Sequence, residues 1–106
     1  MIYEGVRYFE IPDAKPVFAE GLSEIDISEF LADDAIVDVG WTAAKEDGTD
    51  ATADVITVAS CEYDNDEGTI SPWIKAGTSG ETYICTMQVT LDSGFQEEYY
   101  LRWSIV

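Results

Sequence analysis

The 106-residue chain has no histidine, and its two cysteines, Cys61 and Cys85, form no CxxC pair, so the usual zinc-ligand spacings are missing. It also lacks Ser-x-x-Lys, Gly-x-Ser-x-Gly and a glycine-rich phosphate loop, and a serine or cysteine nucleophile would have to find its base without an imidazole. A carboxylate pair for glycoside hydrolysis needs a cleft that so small a domain rarely builds. The expectation is therefore no enzyme, no cofactor and no metal. Cations are scarce too: five Lys and Arg stand against 22 Asp and Glu, a formal charge of -17. Such a surface repels phosphate backbones and acidic lipid headgroups, which excludes nucleic acid and membranes as expected partners. No apolar run nears the ~20 residues that cross a bilayer. The opening Met1-Ile-Tyr-Glu-Gly-Val-Arg7 has no apolar stretch of a secretory signal. Synthesis and use without export are expected, and there two reduced thiols are favoured over a disulfide.

What is present argues for a folded domain. Hydrophobic residues make up 46 % of the chain, with three Trp, six Tyr and four Phe, which closes the low-hydrophobicity route to disorder despite the charge. One compact unit is expected at this length. Its organising stretch is Gly80 to Val106. Tyr83, Cys85, Met87, Val89 and Leu91 alternate with polar Thr82, Thr86, Gln88 and Thr90 and with Ile84, so one face is buried and one is wet. Asp92-Ser93-Gly94 supplies the reversal. The return run is expected to place Phe95, Tyr99, Leu101, Trp103 and Ile105 inward, interrupted by Glu97, with Gln96, Glu98, Tyr100, Arg102 and Ser104 outward. Tyr83 follows Thr78-Ser79-Gly80 and precedes Cys85 by two residues, the placement of the tyrosine corner of immunoglobulin-like sandwiches.

The rest of the chain reads as short strands with turn signals between them. Met1 to Phe18, with Tyr3, Val6, Tyr8, Phe9 and Ile11 before Pro12 and Pro16, is an extended arm. It forms either an edge strand of the domain's own sheet or a projection onto a neighbouring subunit. Leu22 to Ser28 gives a strand. Asp26 and Glu29 cap a helical turn, Ser28 to Ala32, with Phe30 and Leu31 packing under it. The next strand starts at Ala35, with Val37, Val39 and Trp41 on one face. Ala44 to Ala53 is a surface connection, Asp54 to Tyr63 a further strand, and Gly68 to Lys75 another, whose Pro72 confines it to an edge or a bulge. The acidic turn from Glu62 to Glu67 has the wrong spacing for an EF-hand and reads as an ordinary turn. Among Trp41, Trp73, Tyr99, Tyr100 and Trp103, an aromatic sugar-binding face is one reading. Trp41 and Trp103 share the parity of the core, whereas Trp73 shares a face with Thr69, Ser71 and Lys75 and is the best anchor for an interface.

The segments Asp26-Ile-Ser-Glu-Phe-Leu-Ala-Asp-Asp-Ala-Ile with the following Gly-Trp-Thr, Trp73-Ile-Lys-Ala-Gly-Thr-Ser-Gly-Glu-Thr-Tyr83, and the final run from Gly94 resemble the small virion proteins of tailed bacteriophages known as fibre-to-tail adaptors. The resemblance runs from about Leu22 to the C-terminus and does not reach the arm, and the two cysteines are not part of it. It implies an immunoglobulin-like antiparallel β-sandwich of about seven strands at residues 19–106, preceded by the arm at residues 1–18. It also implies a structural part of the virion, made in the host cytoplasm and placed on the outer surface or tail. Its partners would be tail, fibre or capsid subunits, in a symmetric oligomer. Two alternatives stand beside it: a capsid decoration protein clasping its neighbours with the arm, and a secreted or cell-surface immunoglobulin-like binding module. The initiating Met1 argues against the second.

Overall fold

A computed structural model describes the backbone of residues 6–11, 20–31 and 33–106, and the side chains of the same residues from Tyr8 onward. The fold is all-β and sandwich-like. Nine strands are formed among the described residues: β1 (Val6–Glu10), β2 (Gly21–Leu22), β3 (Ile25–Asp26), β4 (Ile36–Lys45), β5 (Glu62–Asp64), β6 (Thr69–Ser71), β7 (Trp73–Ile74), β8 (Thr82–Leu91) and β9 (Gln96–Ser104). Two single-turn helices, α1 (Ser28–Leu31) and α2 (Thr52–Val55), and a 3-10 turn at Val58–Ser60 complete the elements.

The first layer is the sheet β1-β9-β8-β4, built on the hairpin β8–β9 that the alternating pattern predicts. The second layer carries the order β3-β6-β5, with β2 paired to β7. Pro72 separates β6 from β7 because it has no N–H to give the ladder. The two halves still run on as one course, since Pro72 C=O accepts from Ser23 N–H at 3.0 Å. Between the layers lie Ile25, Ile27, Leu31, Ile36, Val39, Val55, Ile56, Ile70, Ile74, Met87, Val89, Tyr99, Leu101 and Trp103, all buried. Non-directional burial of these side chains is the main force holding the layers together.

α1 forms where the sequence places a helical turn. Asp26 Oδ1 accepts from Ser28 N–H at 2.9 Å, Leu31 is buried and Phe30 leans on Tyr99. The expected end at Ala32 lies outside the described residues. Four expectations change. Asp54 to Tyr63 is not one strand: α2, an isolated bridge from Ile56 to Ile74, the 3-10 turn and β5 share it. The segment follows β7 only while Lys75 N–H reaches Val55 C=O and Thr57 N–H reaches Trp73 C=O, and the gap at Pro72 lets it leave the ladder. Val37 points outward because a bulge between Ile36 and Asp38 turns the alternation over by one residue. Phe95 is 55 % exposed, since it stands past the point where the second layer covers the hairpin. Trp41 is only half-buried, against the edge of the core.

Of the two readings of the arm, Val6–Glu10 take the edge strand. β1 lies parallel to β9, with Val6 opposite Glu98 and Glu10 opposite Arg102, and Ile11 N–H extends the ladder to Arg102 C=O. Phe9 and Ile11 pack against the core. At the other edge, the outer rim of β4 is covered by side chains rather than by a strand. Asn65 Oδ1 accepts from Ile36 N–H and its Nδ2 donates to Ile36 C=O, Tyr63 hydroxyl donates to Val37 C=O, and Thr52 Oγ1 accepts from Ala43 N–H. Such caps blunt an edge that would otherwise template further strands.

Candidate interaction surface

The sandwich presents two outward faces. On the first layer the strand register sets Tyr8, Tyr100, Thr86 and Thr42 in one row and Glu10, Arg102, Ile84 and Ala44 in the next. Small and hydroxylic side chains on β4 and β8 leave this face low, so the aromatic pair on β1 and β9 stands above it. Tyr8 is 60 % exposed and stacks on Tyr100 with ring centroids 5.0 Å apart and 23° between planes. Tyr100 hydroxyl donates to Glu98 Oε1 at 2.7 Å. That hydrogen bond holds the phenol proton, with burial and the carboxylate's charge adding to it, and pushes the Tyr100 pKa up to about 12. Arg102 lies between Glu46, at 2.7 Å, and Glu10, at 3.7 Å. These solvent-exposed pairs orient the guanidinium more than they stabilise the fold.

On the second layer, Trp73 of β7 is half-buried and stands opposite the exposed Leu22 of β2. Its backbone N–H donates to Cys61 Sγ at 3.3 Å, and that thiol faces Thr57 C=O at 3.5 Å. The thiol thus fills the ladder position that the turn at Val58–Ser60 vacates. Thr69 and Ser71, expected on the face of Trp73, are buried.

The structure divides the residues predicted for an interface. Tyr8 and Trp73 are accessible and lie on opposite layers. Phe9 and Ile11 turn inward to the core, so the domain's own sheet uses them. Val6 is a backbone member of β1, and Tyr3, Pro12 and Pro16 lie outside the described residues. Tyr83 is buried, its hydroxyl accepts from Thr78 N–H at 2.9 Å, and its ring packs on Trp103. No sugar-binding platform is assembled from the five aromatics: Tyr99 and Trp103 are core, and Tyr100 pairs with Tyr8 instead. Sequence reading missed that pairing because the partners are 92 positions apart and meet only through a parallel strand contact.

The acidic turn closes on itself. Asp64 Oδ1 accepts from Asp66 N–H at 2.8 Å and Glu67 N–H at 3.1 Å, which is the work of a turn-forming aspartate. Among the described residues no group of three or more Asp, Glu, Cys or His side chains converges tightly enough to hold a metal ion. Both thiols are free. Burial pushes the Cys85 pKa up to about 12, with Cys61 adding to it, and burial also raises that of Cys61. Thiols held neutral in this way are poor nucleophiles.

Compared with known families, the chain matches the family model described as podophage GP4 fiber-tail adaptor protein gp77 over residues 23–102. The matched region takes in β3 to β8 and most of β9, and leaves out β1 and β2. No curated protein matches the chain.

Proposed function

We propose, from the premise that this chain belongs to the podophage fibre-tail adaptor family, that it is a passive connector seated between a fibre subunit and a tail subunit of the virion. The family match over residues 23–102 carries this reading. Two accessible faces on opposite layers suit a part held from both sides: one is centred on Tyr8 and Tyr100, the other on Trp73 and Leu22. We assign the first to one partner and the second to the other. Modest contacts of this kind gain strength when they repeat around a symmetric tail. The domain is read as immunoglobulin-like. The order β4-β8-β9 in one sheet and β3-β6-β5 in the other follows the C-F-G and B-E-D courses of that sandwich, and Tyr83 occupies its tyrosine corner. No step of the role requires chemistry at a side chain.

Phage lacking this chain should yield filled heads and tails that carry no fibres in electron micrographs. Quantitative mass spectrometry of wild-type particles should count about a dozen copies, as a tail ring requires, rather than the hundreds of a capsid coat. Fibres attached normally in its absence would overturn the adaptor role. Tyr8→Ala and Trp73→Ala should each weaken capture of a different partner, with the domain's melting temperature preserved.

A further inference from the structure

The hairpin end of the sandwich holds an apolar recess that neither outward face includes. Phe30 and Leu31 of α1 meet Leu91 and Phe95, which flank the β8–β9 reversal, round an open cavity of about 430 Å³. That volume falls in the range of clefts that hold a ligand, roughly 300–1,000 Å³. The walls are fixed before anything binds. Asp34 Oδ2 accepts from the Ser93 hydroxyl at 2.6 Å and its Oδ1 from Ser93 N–H at 3.3 Å, while Asp92 N–H reaches Ala35 C=O at 2.8 Å. The chain leaving α1 is thereby latched to the reversal. Phe30 leans on Tyr99, whose hydroxyl donates to Glu97 Oε1 at 2.5 Å, so that side is held as well. Phe95 is nonetheless 55 % exposed, on a turn whose backbone is bonded to Leu91.

A fixed recess that leaves a phenylalanine in water favours any apolar group that covers it. Its rim decides what carries that group. Asp33, Asp34 and Glu97 line the recess, and no lining residue is a cation. A second copy of this chain would bring its own net charge of -17 against that rim, and an acidic lipid headgroup is repelled in the same way. We propose that the recess docks a segment of a partner virion subunit, which inserts one large aliphatic or aromatic side chain beside Phe95 and sets a lysine or arginine on each side of it, against Asp33 and Glu97. The apolar side chain supplies most of the affinity, because exposed charge pairs contribute little by themselves. The flanking cations set the orientation and turn away acidic partners. The inference rests on the adaptor reading only in naming a virion subunit as the owner of that segment.

The test is a titration of the nitrogen-15-labelled full chain with the capped pentapeptide Gly-Lys-Leu-Lys-Gly, followed by amide chemical shifts. Saturable shifts confined to α1, the chain after it and the β8–β9 reversal are expected. Affinity should fall at least about tenfold for Gly-Lys-Ser-Lys-Gly and for the Phe95→Ala chain, since each loses the apolar contact. It should fall severalfold for Gly-Glu-Leu-Glu-Gly and for the double variant Asp33→Asn/Glu97→Gln. That variant should keep its melting temperature, because asparagine tolerates the φ of +71° at Asp33 and glutamine leaves an acceptor for the Tyr99 hydroxyl. Unsaturable or scattered shifts, or Phe95→Ala binding as before, overturn the site. Equal binding of the acidic peptide overturns the choice of a basic partner. Dimers in sedimentation that Phe95→Ala dissolves give the recess to a second copy, and peptide binding only after removal of residues 1–5 gives it to the chain's own start; either overturns the partner. Phage carrying Phe95→Asp that still bear fibres overturn the virion assignment while leaving the adaptor role intact.

Discussion

Gly68 is the residue at which space and backbone freedom run out together. Its φ is +69°, and a Cβ there would sit 2.6 Å from Ser28 Cβ and 2.8 Å from Ser28 Cα. Its N–H donates to Asp64 C=O and its C=O accepts from Ile27 N–H, both at 2.8 Å, so it stitches the acidic turn to the start of α1. Neither side can retreat. Gly68→Ala should cost about 2–4 kcal/mol in urea unfolding at constant m, against about 1–2 for Gly48→Ala, where φ is +94° but nothing lies within 4 Å. Equal losses would mean that the contact with Ser28 is soft. Tyr100 gives a residue-scale test in pH. Its folded pKa stands above the ordinary 10.0, so the Glu98 bond contributes stability that is whole below pH 10 and is lost as pH rises through about 12. Carbon-13 shifts of labelled tyrosine should show the Tyr100 ring titrating late, and Glu98→Ala should bring it back toward 10.

At the scale of elements, β1 decides whether the first layer is finished. Removal of residues 1–11 uncovers the edge of β9 and strips Phe9 and Ile11 from the core. About 3 kcal/mol should go with them, a fall in melting temperature of roughly 10–20 °C for a domain of this size. An unchanged melting temperature would show that β1 is a passenger on the sheet. The sequence could not choose between edge strand and projecting arm, because parallel pairing of the first strand with the last leaves no local signature. The hairpin was legible because period two runs unbroken from Tyr83 to Leu91 and Gly94 marks the reversal. Val37 and the segment from Thr52 to Cys61 were not, since one bulge and one proline gap shift the alternation where no residue type announces it. For the outer faces, parity was a poor guide: Trp73 is half-buried, but Thr69 and Ser71, which share its parity, are buried. The stacking of Tyr8 on Tyr100 was not legible, because the two become neighbours only through strand register.

The whole molecule carries a formal charge of -17, and mutual repulsion works against its compact state. Melting temperature at pH 7 should therefore rise as sodium chloride is raised from about 0.02 M to about 0.5 M, where the Debye length shrinks to a few ångströms. A flat or falling curve would mean that local hydrogen bonds at the turns outweigh the field. The same surface leaves a neighbour with basic side chains the better fit.

The parallel course of β1 and β9 also sets how this domain bears a pull. Tension applied through the segments before β1 and after β9 drags the two strands past each other lengthwise, so the bonds from Val6 opposite Glu98 to Ile11 on Arg102 carry the load at once. An antiparallel terminal pair would instead peel open one rung at a time. Optical-tweezers traces should show a single high-force rupture that drops sharply when β1 is removed, and a joint between fibre and tail gains from such a clasp each time the fibre is tugged.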